Sequence, residues 1–146
     1  MIELQSIYRP NARPSVSPAV MNFLYDLLAE RDETTNISHQ RMPSRADHVK
    51  FVLDRPYKDW QIIVADGERI GATYLSKNNE IGIFILKEHR GKGYGREVIR
   101  NLQNLHDEFT LLANINPRNK PSIDLFLGEG FEHIQNTYRW KRPKSD

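Results

Sequence analysis

No cysteine occurs among the 146 residues, so disulfides, thiolate metal sites and a cysteine nucleophile are excluded. No apolar run approaches the roughly 20 residues that span a bilayer. The opening Met-Ile-Glu-Leu-Gln-Ser lacks a basic-then-apolar leader. No membrane association is therefore expected, and the cytoplasm is the default location. Charge of one sign is also missing: 21 basic against 19 acidic residues leave a net +2. That balance argues against nucleic acid as a partner held by bulk charge. His39 and His48 lack metal-ligand spacing and no acidic cluster accompanies them, so no metal is expected. No internal repeat or low-complexity tract is present. What remains is a globular composition, 38% hydrophobic, 27% charged and 10% aromatic, read as one domain over residues 1–146.

Read in order, residues 2–8 alternate well enough for a first strand, and prolines at 10 and 14 mark a loop. Ser17-Pro18 opens a helix, serine as cap and proline in the first turn. Val20, Phe23, Leu24, Leu27 and Leu28 give it one apolar face, and it ends near Arg31. Residues 32–43 are polar and aperiodic, a length that points to function or mobility. Ser44 caps a short helix carrying His48, Phe51 and Val52. Strands follow at 60–65 and 69–76 around Asp66-Gly67, a hairpin signal. Lys77-Asn78-Asn79 turns the chain into a nearly all-apolar strand at 80–86, which should be covered on both faces.

From there the chain changes character. Arg90-Gly91-Lys92-Gly93-Tyr94-Gly95-Arg96 sets three glycines among basic residues. Val98, Ile99, Leu102 and Leu105 then fall on one face at helical spacing. This is a strand, an anion-cradling loop and a helix. Glycine lets backbone N–H groups converge, and the helix start adds unpaired donors and partial positive charge. Neither the dinucleotide fingerprint nor the Gly-Lys-Ser/Thr phosphate loop fits the spacing. A further strand at 110–115, parallel to the one before the loop, is followed by a loop at 116–122. A helix then holds Ile123, Leu125, Phe126 and Leu127 until Gly128 and Gly130 stop it. Residues 131–135 and 137–141 read as a closing hairpin around Asn136, with Trp140 turned inward rather than forming a basic, aromatic patch with Arg139, Lys141 and Arg142. His89, His106 and His133 read as surface residues. Residues 142–146 read as a frayed tail.

The order strand, two helices, three-strand meander, helix, strand, helix, hairpin resembles the GNAT superfamily of acyl-CoA-dependent N-acyltransferases, an α/β (α+β) fold with a mixed sheet. Arg90-x-x-Gly93-x-Gly95 is similar to that family's [RQ]-x-x-G-x-[GA] pyrophosphate loop. Pro117-x-Asn119, Ser122, Phe126 and Gly130-Phe131 are similar to a second family segment. The resemblance implies that the strands at 80–86 and 110–115 start as neighbours and splay apart. Acetyl-CoA would lie in the wedge as acyl donor, its pantetheine along Phe84, Ile85 and Leu86. Its pyrophosphate would sit on Gly91, Lys92, Gly93, Tyr94, Gly95 and Arg96 beside Arg90. Asn114, Asn119, Ser122 and Phe126 would face the cofactor. A strand N–H would polarise the thioester carbonyl while a neutral amine attacks it in a ternary complex.

The resemblance leaves the proton transfers open. Many members have tyrosine where this chain has Phe126, and members with a glutamate base have it at the positions of Asn114 or Asn79. Glu80 lies one residue from the latter and, by strand alternation, should point to the opposite face. His39, Tyr138 and a solvent path are the other candidates. The acceptor is expected to be a small-molecule or sugar-type primary amine, with the polar loop at 32–45 building its pocket. Arg41, Arg45 and His48 beside Asp32 and Glu33 lean towards an anionic acceptor. A protein or peptide acetyltransferase and a non-catalytic acyl-CoA-binding module are the alternatives. Monomer and homodimer are both compatible with the sequence.

Overall fold

A computed structural model describes residues 1–11, 13–31, 41–108 and 110–144 of the chain. His39 and most of the polar stretch at 32–43 lie outside the described residues. One sheet in the order β1-β2-β3-β4-β5 carries the fold. Its strands are β1 (Ile2–Ser6), β2 (Asp59–Ala65), β3 (Glu68–Leu75), β4 (Glu80–Ile85) and β5 (Leu112–Ala113). The first four pair antiparallel and β5 pairs parallel to β4. Asp66 and Gly67 both have positive φ, 51° and 77°, the conformation that suits a two-residue hairpin between twisted strands.

Four helices cover the sheet: α1 (Pro18–Ala29), α2 (Arg45–Leu53), α3 (Tyr94–Leu105) and α4 (Lys120–Gly128). The caps follow the chemistry of the sequence. Ser17 accepts from the Val20 N–H, Ser44 from Asp47 and Asn119 from Ser122, each satisfying a donor that the first helical turn cannot. Gly130, at φ 94°, ends α4 while the Phe131 N–H reaches back to the Phe126 carbonyl at 3.0 Å, a Schellman closure.

The near-absence of polar residues in β4 is explained by its two coverings. Ile81, Ile83 and Ile85 pack into the cluster under α3 and α4 with Val98, Ile99, Leu102 and Phe126. Phe84 joins the opposite cluster with Leu24 and Leu27 of α1, Val52 of α2, and Trp60. Ile99 and Val98 are fully buried, whereas Leu105, expected on the same face, is 51% exposed because α3 ends there. Two ties fix α3. The Ile2 N–H donates to Glu97 at 2.7 Å, and Arg96 and Arg100 both pair with Glu129 at the end of α4.

The closing hairpin expected at 131–141 is not formed. Residues 131–144 are assigned to no strand, and Ile134, Tyr138 and Trp140 are 66%, 88% and 74% exposed. Trp140 therefore does not turn inward; Arg142 lies over its ring at 5.7 Å. The reason is geometric. The strand expected at 110–115 shrinks to Leu112–Ala113, leaving almost no ladder for a sixth strand, and an undocked hairpin is marginal in water. Trp140→Ala should accordingly change stability by less than about 0.5 kcal/mol, measurable by urea denaturation. A loss of several kcal/mol would mean that the arm packs.

Candidate active site

Where β5 stops, β4 continues. The parallel ladder holds only Glu80 to Leu112 and Ile81 to Ala113, so the β5-facing edge of β4 beyond Ile81 is unpaired. The phase of the β3–β4 ladder says which groups that exposes. The Leu86 N–H donates to Ile70 and the Ser76 N–H to Glu80, both at 2.8 Å. Even-numbered residues of β4 thus bond to β3, and odd-numbered ones turn their N–H and C=O groups the other way. Ile83 and Ile85 are the residues left facing the wedge. The Ile85 carbonyl accepts from Arg90 Nε at 3.0 Å, which folds the Arg90 side chain across the strand end.

This wedge opens into a cleft of about 740 Å³. One end is the glycine loop, with Arg90, Gly91, Gly93, Tyr94 and Gly95 on its wall. Gly91 and Gly93 have φ of 77° and 83°, and a Cβ built on either meets nothing within 4 Å. The backbone here is left-handed, suited to glycine, and the space above it is open. Gly93 is also the cap of α3, so the helix's unpaired N–H groups face the same space. The far wall is Asn114, Asn119, Ser122 and Phe126. Phe126 is buried edge-on against Phe131.

Glu80 also lines the cleft, contrary to the expectation from strand alternation. Its carboxylate accepts a hydrogen bond from Asn114 Nδ2, and its other oxygen lies 3.5 Å from Ser76 Oγ. Asn79 sits at φ 65° and its side chain is taken by Lys58 at 2.5 Å; it is the turn residue before the strand. Glu80 instead shares the face of Gly82 and Phe84.

A second, apolar pocket of about 350 Å³ adjoins on that face, between α1, α2 and the sheet. Tyr57, Tyr74, Phe84 and Arg31 line both cavities. Tyr57 and Tyr74 stack at 4.0 Å with their rings 7° from parallel. Gly82 makes room for this: a Cβ there would lie 2.3 Å from the Tyr74 ring. Burial, with Tyr74 beside it, pushes the Tyr57 phenol up to about 12, and burial raises Tyr74 as well. Both are neutral donors at physiological pH.

Residues 13–132 match the sequence profile of the acetyltransferase (GNAT) domain. The chain belongs to that family. No curated protein sequence matches it, but solved structures share the fold. Phosphinothricin acetyltransferase from Sinorhizobium meliloti, in complex with AcCoA, has a TM-score of 0.67 at 21% identity, over 90% of this chain and 75% of its own. An aminoglycoside antibiotic 6'-N-acetyltransferase from Acinetobacter haemolyticus gives 0.63 at 16% identity, over 99% of both chains. A ribosomal-protein-alanine N-acetyltransferase from Brucella melitensis gives 0.68 at 17%, over 92% and 86%. The GNAT domain described here is an acyltransferase with a five-stranded mixed sheet.

Several residues expected at the acyl-CoA site of this GNAT domain do not line the cleft. Leu86 commits its N–H to β3, Arg96 is paired with Glu129, and Lys92 is outside the wall. His89, read from sequence as a surface flank, lines the cleft mouth within 3.4 Å of Glu68. Among the described residues, Glu68, Glu88 and His89 form a group whose potential metal-ligand atoms lie within 4.8 Å of one another, both carboxylates being exposed. No helix among the described residues is long and apolar enough to cross a membrane. The sequence reading missed Arg31, Tyr57 and Tyr74. They come from three separate stretches of the chain, and the only local signal was a tyrosine just before β2 and another within β3.

His48 is buried in the wall of the second pocket, edge-on to Tyr25 at 5.2 Å, and its Nε2 has no partner among the described residues. Burial holds its pKa below the ordinary value, against a hydrogen bond with the Met21 backbone that works the other way. The unfolded chain takes up this proton near pH 6.5 and the folded one only at lower pH. Stability is therefore present above about pH 6.5 and lost as pH falls through that value towards the folded pKa. The melting temperature should decline between pH 7 and 5.5, and His48→Phe should flatten that decline. Parallel curves for parent and variant would contradict the assignment.

Proposed function

We propose that this GNAT domain transfers the acetyl group of acetyl-CoA to the primary amine of a small molecule, by direct attack in a ternary complex. The observation that carries this reading is the split between β4 and β5 running straight into the left-handed glycine loop at the start of α3. It offers anion-binding N–H groups at one end and unpaired strand N–H groups along the side, as a phosphate-bearing thioester requires. Along β4 the order is Glu80, Ile83, Ile85, then the loop. With the pyrophosphate on Gly91, Gly93 and Gly95, the pantetheine runs back along Ile85 and the thioester carbonyl meets the Ile83 N–H.

An alkylamine with a pKa near 10 is protonated at neutral pH and must lose a proton before it can attack. Glu80, oriented by Asn114 and Ser76, receives that proton directly or through one water. Nitrogen bonds to the carbonyl carbon, the oxyanion is held at Ile83, and as the C–S bond breaks the attacking nitrogen gives up its second proton to solvent. Phe126 has no proton to give. A thiol of pKa about 8.5 leaves readily as thiolate, which solvent then protonates. The second pocket, aromatic-walled and set between α1, α2 and the sheet, supports a small acceptor over an extended peptide. A screen reporting free CoA, across amino acids, amino sugars, polyamines, aminoglycosides and peptides, tests this directly. Turnover with small amines supports it. Turnover with peptides alone would favour a protein acetyltransferase, and none at all a binding module.

A further inference from the structure

Arg31 follows the end of α1 and stands between the cleft and the second pocket, lining both. Its guanidinium carbon lies 3.6 Å from the centre of the Phe84 ring. Its Nε is buried and, among the described residues, has no hydrogen-bond partner. Among the described residues, no carboxylate forms an ion pair with it. Its neighbour Glu30 is turned elsewhere, accepting from the Lys87 N–H at 2.9 Å. A guanidinium whose Nε is buried with no partner among the described residues is an unfavourable arrangement unless something in the site completes it.

The surroundings say what completes it. Arg31, Tyr57, Tyr74 and Glu80 line one cleft, and the Tyr74 phenol, raised chiefly by burial, is drawn down by Arg31 and pushed up by Glu80. The cleft therefore carries a cation and a carboxylate together with aromatic rings. Arg31 presents its fork of donors where a carboxylate can take them. Glu80 stands where an ammonium must give up its proton.

We infer that the acceptor is an acidic primary amine, of the amino acid class, whose carboxylate pairs with Arg31 while its amine faces Glu80 and its apolar side chain fills the pocket of Trp60, Phe51 and Leu24. This rests on the acetyl-transfer reading above for the amine's fate, but the recognition of the acid by Arg31 is a binding event that can be read without turnover.

Trp60 lines the pocket and serves as the reporter, in a Trp140→Phe background that removes the only other tryptophan. Titration with L-phenylalanine, L-leucine and L-methionine is compared with titration by their amides. The acids should bind roughly 10–100-fold more tightly, the range of one charge-assisted pair. Arg31→Met should erase that preference and Arg31→Lys restore part of it. Amides that bind as tightly as acids in the Arg31 protein would overturn the inference, as would a preference that survives Arg31→Met. Acid-selective binding without CoA release on adding acetyl-CoA would uphold this inference and count against the catalytic reading instead.

Discussion

Gly93→Val is expected to abolish acetyl-CoA binding while leaving the sheet folded. Gly93 sits at φ 83°, and a Cβ there would meet no protein atom within 4 Å. The substitution therefore projects its methyl groups into the open space above the loop, where the pyrophosphate is proposed to lie. The left-handed conformation itself costs a non-glycine residue about 1–2 kcal/mol, which a domain of this size survives. At 100 times its dissociation constant, acetyl-CoA stabilises a protein that binds it by about 2.7 kcal/mol. For a chain of this length that is roughly 5–10 °C in melting temperature. The parent should show this shift and Gly93→Val none, with the two circular dichroism spectra superimposable. An undiminished shift in the variant would remove the loop from the cofactor site.

Glu80→Gln should lower kcat by roughly 10²–10⁴-fold, the usual contribution of a positioned general base. Glutamine keeps the length of the side chain, and its amide can still meet Asn114, so acetyl-CoA affinity should hold. The loss should be greatest near neutral pH and shrink as pH approaches the pKa of the amine, where the substrate supplies its own neutral form. A kcat equal to the parent's across this range would return the proton to solvent and leave Glu80 with a structural task. A fall in acetyl-CoA affinity alone would place it on the cofactor rather than on the amine.

The parts of this molecule readable from sequence are those with a short-range cause. Ser17, Ser44 and Asn119 cap helices because their side-chain oxygens reach N–H groups three residues on. Asp66-Gly67 makes its hairpin, and the glycines at 91 and 93 take positive φ. The covering of β4 on both faces also followed from its composition. What failed was whatever depended on register or on distant partners. Glu80 is turned to the wrong face when strand alternation is carried through Asn79. That residue is a left-handed turn residue bonded to Lys58 and lies outside the strand. The closing hairpin had suitable alternation but no edge to dock on, because β5 is two residues long. Arg31, Tyr57 and Tyr74 are brought together only by the fold, Gly82 making the space that lets Tyr74 lie flat.

The most direct test of the account is a crystal structure with acetyl-CoA bound. The pyrophosphate is expected on the N–H groups of Gly91 to Gly95, and the thioester oxygen about 3 Å from the Ile83 N–H, with Glu80 on the acceptor side. A pyrophosphate bound away from the glycine loop, or a thioester on the side of β4 that pairs with β3, would contradict it.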